Sequence, residues 1–339
     1  MSRVTIRDVA EASAVSIATV SRVLNGLHRG DPAVRRRVLQ VARQLNYRPN
    51  TFARRLAKGS TESLGIVMNA IRPTTDYYGD ILQGVEEEAR RNGYNLYFSV
   101  VYPYLRALGT EEVPKGILDN SVDGLIYAGE MRPDLYERIK EASLPLVIVN
   151  SYVEGEDVEC VMSDNFGGAY EAVRWLIGLG HRRIACIVCG RGEVPSVRER
   201  VEGYRQALSD AGISYEGEVL VDGYSPEDGY KATEELLKLQ DPPTAIFGTV
   251  DEVAIGAIKC AKGAGLRVPE DLSVLGVNDL DIARLCEPPL TTVRIFRREM
   301  GRVAVRRLLE LIREPSRKPA RTDVPCELVH RESCAGPRD

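Results

Sequence analysis

No stretch of this 339-residue chain approaches the roughly 20 consecutive apolar residues that span a bilayer, which excludes a membrane helix. The opening run Met1-Ser2-Arg3-Val4-Thr5-Ile6-Arg7-Asp8 has no apolar signal core, so the chain is expected to stay in the cytoplasm. Histidine is scarce: His28, His181 and His330 are scattered and make no ligand spacing. Seven cysteines are an odd number in so long a chain, which argues against a disulfide framework and for a reducing compartment. Cys186 and Cys189 form a C-x-x-C on a predicted strand, where an odd separation sends them to opposite faces and away from any shared ion. Neither a Gly-x-Ser-x-Gly elbow nor a phosphate loop is present, and Gly190-x-Gly192 lacks the third glycine of a dinucleotide fingerprint. No enzyme, no metal and no cofactor are expected.

What is there is an ordinary globular composition, 44% hydrophobic and 28% charged, at a length that suits two or three domains. The net charge of −4 hides an asymmetry. Through Ser60 there are 12 Lys and Arg against three acids, and beyond it 33 against 46. A basic head on an acidic body points to a polyanion partner for the head; a merely solvated basic head is the alternative.

Thr5-Ile6-Arg7-Asp8 has capping-box spacing and predicts a short helix to about Ala12. Ser16 is a good N-cap for a second helix over Ile17 to Asn25, with Val20, Val23 and Leu24 on one apolar stripe. Asp31-Pro32 opens a third, on which Val34, Val38, Val41, Ala42 and Leu45 repeat at helical spacing. Three short helices with a four-residue first turn describe a helix-turn-helix domain. The outer face of the second helix (Ile17, Ala18, Ser21 and Arg22) is small or polar and can enter a major groove, with Arg22 bonding guanine O6 and N7. Beyond it, Tyr47 to Gly59 is basic with a short helical core. Leu56 among arginines is out of place on a solvated linker and fits an apolar wedge for a minor groove.

The runs Val4 to Ala10, Val15-Ser16, Thr19 to Asn25 and Asn46 to Asn50 resemble the headpiece of the lactose/galactose repressor family, and Ala53-Arg54-Arg55-Leu56 resembles its hinge helix. The resemblance implies that Ile17 and Ala18 help choose the operator, that Arg22 reads bases, and that Leu56 kinks a central base step. It also implies DNA contacts from Thr5, Ser16, Thr19, Ser21, Asn25, Asn50, Ala53 and Arg54.

From Leu64 the pattern changes. Apolar strand-like runs at 64–68, 95–101, 124–128, 146–149, 184–189, 245–248 and 272–277 alternate with helices near 166–179, 197–211, 226–239 and 251–264. Such alternation predicts an α/β core of parallel sheets covered on both faces, in two doubly wound subdomains. Ser163 to Gly168, Leu179 to Ile184, Arg200 to Tyr204, Ala264 to Val274 and Pro288 to Val293 resemble the same family's effector core, which is similar to periplasmic sugar-binding proteins. Expected domains are a headpiece at 1–46, a linker and hinge helix at 47–61, a core at 62–330 and a tail at 331–339. By the resemblance the chain crosses between subdomains near 161, 291 and 322, giving an N-subdomain of 62–161 with 291–321 and a C-subdomain of 162–290 with 322–330.

Ligands of open α/β sheets bind beyond the carboxyl ends of the strands. Tyr77 and Tyr78 follow the first strand, and the resemblance adds Asn150, Ser196, Arg200, Tyr224 and Asn278 to the effector site. Asn150 and Asn278 stand where the family often has aspartate, and Val250 where asparagine is frequent. Strand-end loops also carry Arg72, Arg132 and Arg191, so an anionic sugar derivative stands beside a neutral sugar as the expected effector. Implied throughout is a repressor that binds a pseudo-palindromic DNA operator as a homodimer, with no leucine heptads for a tetramer after Arg317. Control by a phosphocarrier protein and a sugar-binding receptor role are the alternatives.

Overall fold

The structure, a computed structural model, describes residues 4–24, 26–47, 60–69, 76–101, 121–215 and 217–338. It divides into two units, Met1–Thr61 and Glu62–Asp339. Among the described residues no helix is long and apolar enough to cross a membrane.

The first unit holds α1 (Ile6–Ala12), α2 (Ile17–Leu24) and α3 (Pro32–Gln44), packed on one another. Their starts follow from capping chemistry: the Thr5 amide donates to the Asp8 carboxylate at 2.7 Å, the Thr19 amide to the Ser16 hydroxyl at 3.2 Å, and the Ala33 amide to Asp31 at 2.7 Å. The predicted stripes form the core, with Val9, Val20 and Val38 fully buried.

The second unit carries two six-stranded sheets. The first is built from β1 (Ser63–Asn69), β2 (Asn95–Val101), β3 (Gly124–Ala128), β4 (Leu146–Val149) and β5 (Glu159–Ser163), with helices α4 (Asp76–Arg91) and α5 (Pro133–Glu141). The chain continues through α6 (Asn165–Gly178), β6 (Ile184–Val188), α7 (Pro195–Asp210), β7 (Glu218–Leu220), α8 (Pro226–Leu236), β8 (Ala245–Gly248), α9 (Asp251–Gly263), β9 (Ser273–Asn278), α10 (Asp281–Leu285) and β10 (Thr291–Ile295). It ends with α11 (Arg297–Arg313), β11 (Arg321–Val324) and β12 (Cys326–Val329). Strand order is β11-β5-β4-β3-β1-β2 in one sheet and β12-β10-β9-β8-β6-β7 in the other, parallel apart from the antiparallel β12. β3, β4, β5, β6, β8 and β9 are buried along their whole length, as parallel strands covered on both faces must be.

The chain passes between the halves at Asp164, Phe296 and Pro325, a few residues later than the resemblance placed it, near 161, 291 and 322. The difference is physical: β10 runs to Ile295 beside β9, and β11 pairs with β5 rather than joining the second sheet. The described part of the 331–339 tail is held against β9. The Ser333 hydroxyl donates to the Val274 carbonyl at 2.6 Å, and the Ala335 amide donates to the Ser273 hydroxyl at 3.0 Å. Helix pairs meet closely at glycines. A Cβ on Gly84 of α4 would overlap the Arg298 carbonyl of α11, and one on Gly301 would overlap the Ile81 carbonyl.

Candidate DNA-reading helix and effector cleft

In the first unit, α2 buries Val20 and Val23 and turns Ile17, Ala18 and Arg22 outward. Ile17 is 44% exposed on that outer face. Thr5 and Ser16 are engaged at caps, and the Ser16 and Thr19 hydroxyls lie 2.9 Å apart, so these three help set the helix starts. Ser21 is half-buried on the same helix. Arg7, Arg22, Arg29, Arg35, Arg36, Arg37 and Arg43 are all exposed. Asn25, Asn50, Ala53, Arg54 and Leu56 lie outside the described residues, as does Arg72.

In the second unit the predicted effector residues all follow carboxyl ends of strands. Tyr77 and Tyr78 open α4 after β1, Asn150 follows β4 directly, Ser196 and Arg200 lie on the first turns of α7, Tyr224 follows β7 and Asn278 ends β9. The Tyr77 phenol donates to Asn150 Oδ1 at 2.9 Å, and its ring meets that of Tyr78 edge-on at 5.3 Å. Burial raises the Tyr77 phenol, and the opposing charges of Arg200 and Arg297 reach it from the far half of the core and from α11. Burial also raises Tyr78, and pushes Tyr224 up to about 12. The structure thus brings Tyr77, Tyr78, Asn150, Arg200 and Tyr224 into one electrostatic neighbourhood. Ser196 is buried on α7, one turn before Arg200.

Arg200 is 3% exposed, and its Nε donates to Asn165 Oδ1 at 3.0 Å while Nη1 donates to the Thr249 carbonyl at 2.7 Å. Asn165 is itself held by the Ser163 hydroxyl at 2.9 Å and donates to Glu199 at 3.2 Å. Asn150 and Asn278 both adopt positive φ, 64° and 122°, a region that asparagine and aspartate tolerate better than other side chains. Asn278 is 5% exposed, and its buried Oδ1 has no hydrogen-bond partner.

Against this geometry the comparisons are decisive. Residues 5–50 match the sequence family described as bacterial regulatory proteins, lacI family, and residues 173–334 match the periplasmic binding protein-like domain. The chain is 33% identical to the HTH-type transcriptional repressor PurR of Mannheimia succiniciproducens, over 97% of this chain and 98% of that one. It belongs to the LacI family. Among solved structures it is similar to the lac repressor dimer bound to operator and the anti-inducer ONPF, at 27% identity with a TM-score of 0.85, covering 98% of this chain and 100% of that one. It is likewise similar to a complex of the transcriptional regulator CelR with cellobiose, at 30% identity with a TM-score of 0.73 and the same coverage. As a LacI-family member it is a DNA-binding transcriptional repressor with an effector-binding domain.

Three features of this LacI-family core escaped the sequence reading. Arg297 is 8% exposed, lies over the Tyr77 ring at 5.6 Å, donates to Asp80 at 2.7 and 3.0 Å, and reaches the Asn278 carbonyl. Its position just past the crossing at Phe296 was the available signal. Asp251 is fully buried at the start of α9, accepting the Thr292 hydroxyl at 2.5 Å and the Leu280 amide at 2.7 Å, and so fixes the loop that carries Asn278. Asn165 and Thr249 hold Arg200 in place. Of the arginines read as strand-end charges, Arg132 and Arg191 are exposed or half-buried and paired with Asp134 and Asp222.

Proposed function

We propose that the repressor binds a pseudo-palindromic operator as a homodimer and that a sugar or sugar derivative in the cleft of its core sets its affinity for DNA. Each headpiece, 1–46, lays α2 in a major groove, with Ile17, Ala18 and Arg22 on base edges and Thr5, Ser16, Thr19, Ser21, Asn25 and Asn50 around them. The 47–61 segment supplies the hinge, where Ala53, Arg54 and Leu56 meet the minor groove. Support comes from the similar lac repressor dimer on its operator and from the CelR complex with cellobiose.

One observation carries the effector half of the reading: Tyr77 and Asn150 of the first sheet's half face the charge of Arg200 from the second. Rings for an apolar sugar face, amides for hydroxyls and a guanidinium make a site that binds; its phenols, raised by burial, do not exchange protons near neutral pH. Closing the halves on a ligand would alter the hinge spacing, and by linkage effector and operator must change each other's affinity by the same factor. The protein acts where the DNA is, in the cytoplasm. Operator binding measured with and without a panel of sugars tests the reading, with sedimentation giving the oligomeric state. A chain that binds operator as a monomer, or whose operator affinity no sugar changes, would refute it.

A further inference from the structure

Two arginines are buried among the described residues, and they are satisfied differently. Arg297 has a carboxylate, Asp80, on two of its nitrogens. Arg200 has none. Its partners, Asn165 Oδ1 and the Thr249 carbonyl, are neutral, and they occupy two of the five N–H donors of a guanidinium, leaving three without an acceptor among the described residues. Glu199, next to it in the chain, and Asp251, close to Thr249 in the chain, are taken. Glu199 binds Arg321 at 2.5 and 3.2 Å and the Asn165 amide, and Arg321 also holds Asp323. Asp251 takes the Thr292 hydroxyl and the Leu280 amide.

A guanidinium does not deprotonate, so a buried one without a counter-charge is costly until an anion arrives. Asn150 and Asn278, which could have supplied the charge, are amides, while Glu130 and Glu193 act on Tyr224 together with Arg200. Asn150 and Asn278 sit at positive φ, where aspartate would fit the backbone equally well, so backbone conformation does not account for the choice of amide over carboxylate. Asn278 Oδ1, buried and unpartnered, is an acceptor waiting for a hydroxyl or amine donor.

Resting on the reading of the cleft as a sugar site, we infer that the effector is a hydroxylated anion, whose carboxylate or phosphate pairs with the free edge of Arg200 and whose hydroxyls meet Asn278 and Asn150. Both anions match a guanidinium edge with two parallel hydrogen bonds.

The test is calorimetry of the full chain with matched gluco, galacto and manno series, each as neutral sugar, uronate and 6-phosphate. The inference expects an anionic member to bind at least tenfold tighter than its neutral counterpart, uronate and phosphate distinguishing the two sources of charge. Arg200→Gln should bring that preference within threefold. Should Arg200→Gln fail to fold, as its melting by circular dichroism would reveal, Asn150→Asp serves instead. It keeps an acceptor for the Tyr77 phenol, adds a carboxylate to the cleft, and should weaken the anion tenfold or more. Neutral members binding as tightly as anions would overturn the inference and leave the sugar cleft standing. No member binding at all would overturn both.

Discussion

The Tyr77 phenol donates a 2.9 Å hydrogen bond to Oδ1 of Asn150, tying the first turn of α4 to the residue that directly follows β4. Asn150 holds a left-handed backbone there, φ 64°, so this bond fixes a side chain on a strained turn. Tyr77→Phe keeps the ring under Arg297 and removes only the donor. Urea unfolding should show a loss of about 0.5–1.5 kcal/mol. A variant as stable as the parent would mean the bond contributes nothing.

Arg22 is exposed on the outer face of α2. Arg22→Ala should cost roughly 1–3 kcal/mol of operator binding and relax preference at one base pair per half-site. Equal loss on operator and random DNA would make it a phosphate contact. With twelve Lys and Arg through Ser60, log affinity should also fall linearly with log salt, by about 0.9 per neutralised phosphate.

Burial raises the Asp251 carboxyl to about 7, against the hydrogen bonds from Thr292 and Leu280. An acid whose folded value lies above its unfolded one holds its proton better when folded. Its contribution is therefore full at low pH and fades as pH rises from about 4 to about 7, by at most about 1.4 kcal/mol per unit. His181, held below its ordinary range by burial, acts with the opposite sign. The comparison of parent with Asp251→Asn isolates the aspartate: the stability difference between them should change over pH 4–7 and stay level above it. A difference that does not change with pH would rule the assignment out.

Gly84 and Gly301 let α4 and α11 touch backbone to backbone. Alanine at either would push a Cβ into a carbonyl oxygen that cannot yield, so each variant should lose about 1–3 kcal/mol. Gly79 lies on the same helix, exposed and with nothing near its missing Cβ. Gly79→Ala should be neutral or stabilising by up to ~1 kcal/mol. Chemical denaturation of the three variants side by side checks both directions.

What the sequence made legible had strong local signals. The caps at Thr5, Ser16 and Asp31 and the buried runs at 124–128 and 146–149 read directly. Cys186 and Cys189 do join different hydrophobic clusters, although Cys189 falls one residue past β6 in a short 3-10 turn. Five strands were missed: β7, β11 and β12 because three or four residues bearing Glu218, Arg321, Asp323 or Glu327 carry too little apolar pattern, and β5 and β10 because Glu159 and the polar Thr291, Thr292 and Arg294 break their short apolar runs. Of the cleft residues, Tyr77 and Tyr78 were read from their place after the first strand, while Asn150, Ser196, Arg200, Tyr224 and Asn278 were read from the family resemblance. Arg297 and Asp251 were not, since their roles depend on partners 217 and 41 residues away, Asp80 and Thr292.

Three passages between the halves mean that neither is encoded as one stretch. The first sheet lacks its edge strand beside β5 until Arg321–Val324 has been made, and α4 lacks its partner until α11 is complete at Arg313. By then the second half already holds five of its six strands. The second sheet in turn waits for β12, made after β11, so during synthesis neither half is complete before residues 321–329 emerge, and until α11 is made the Gly84 face of α4 stays uncovered.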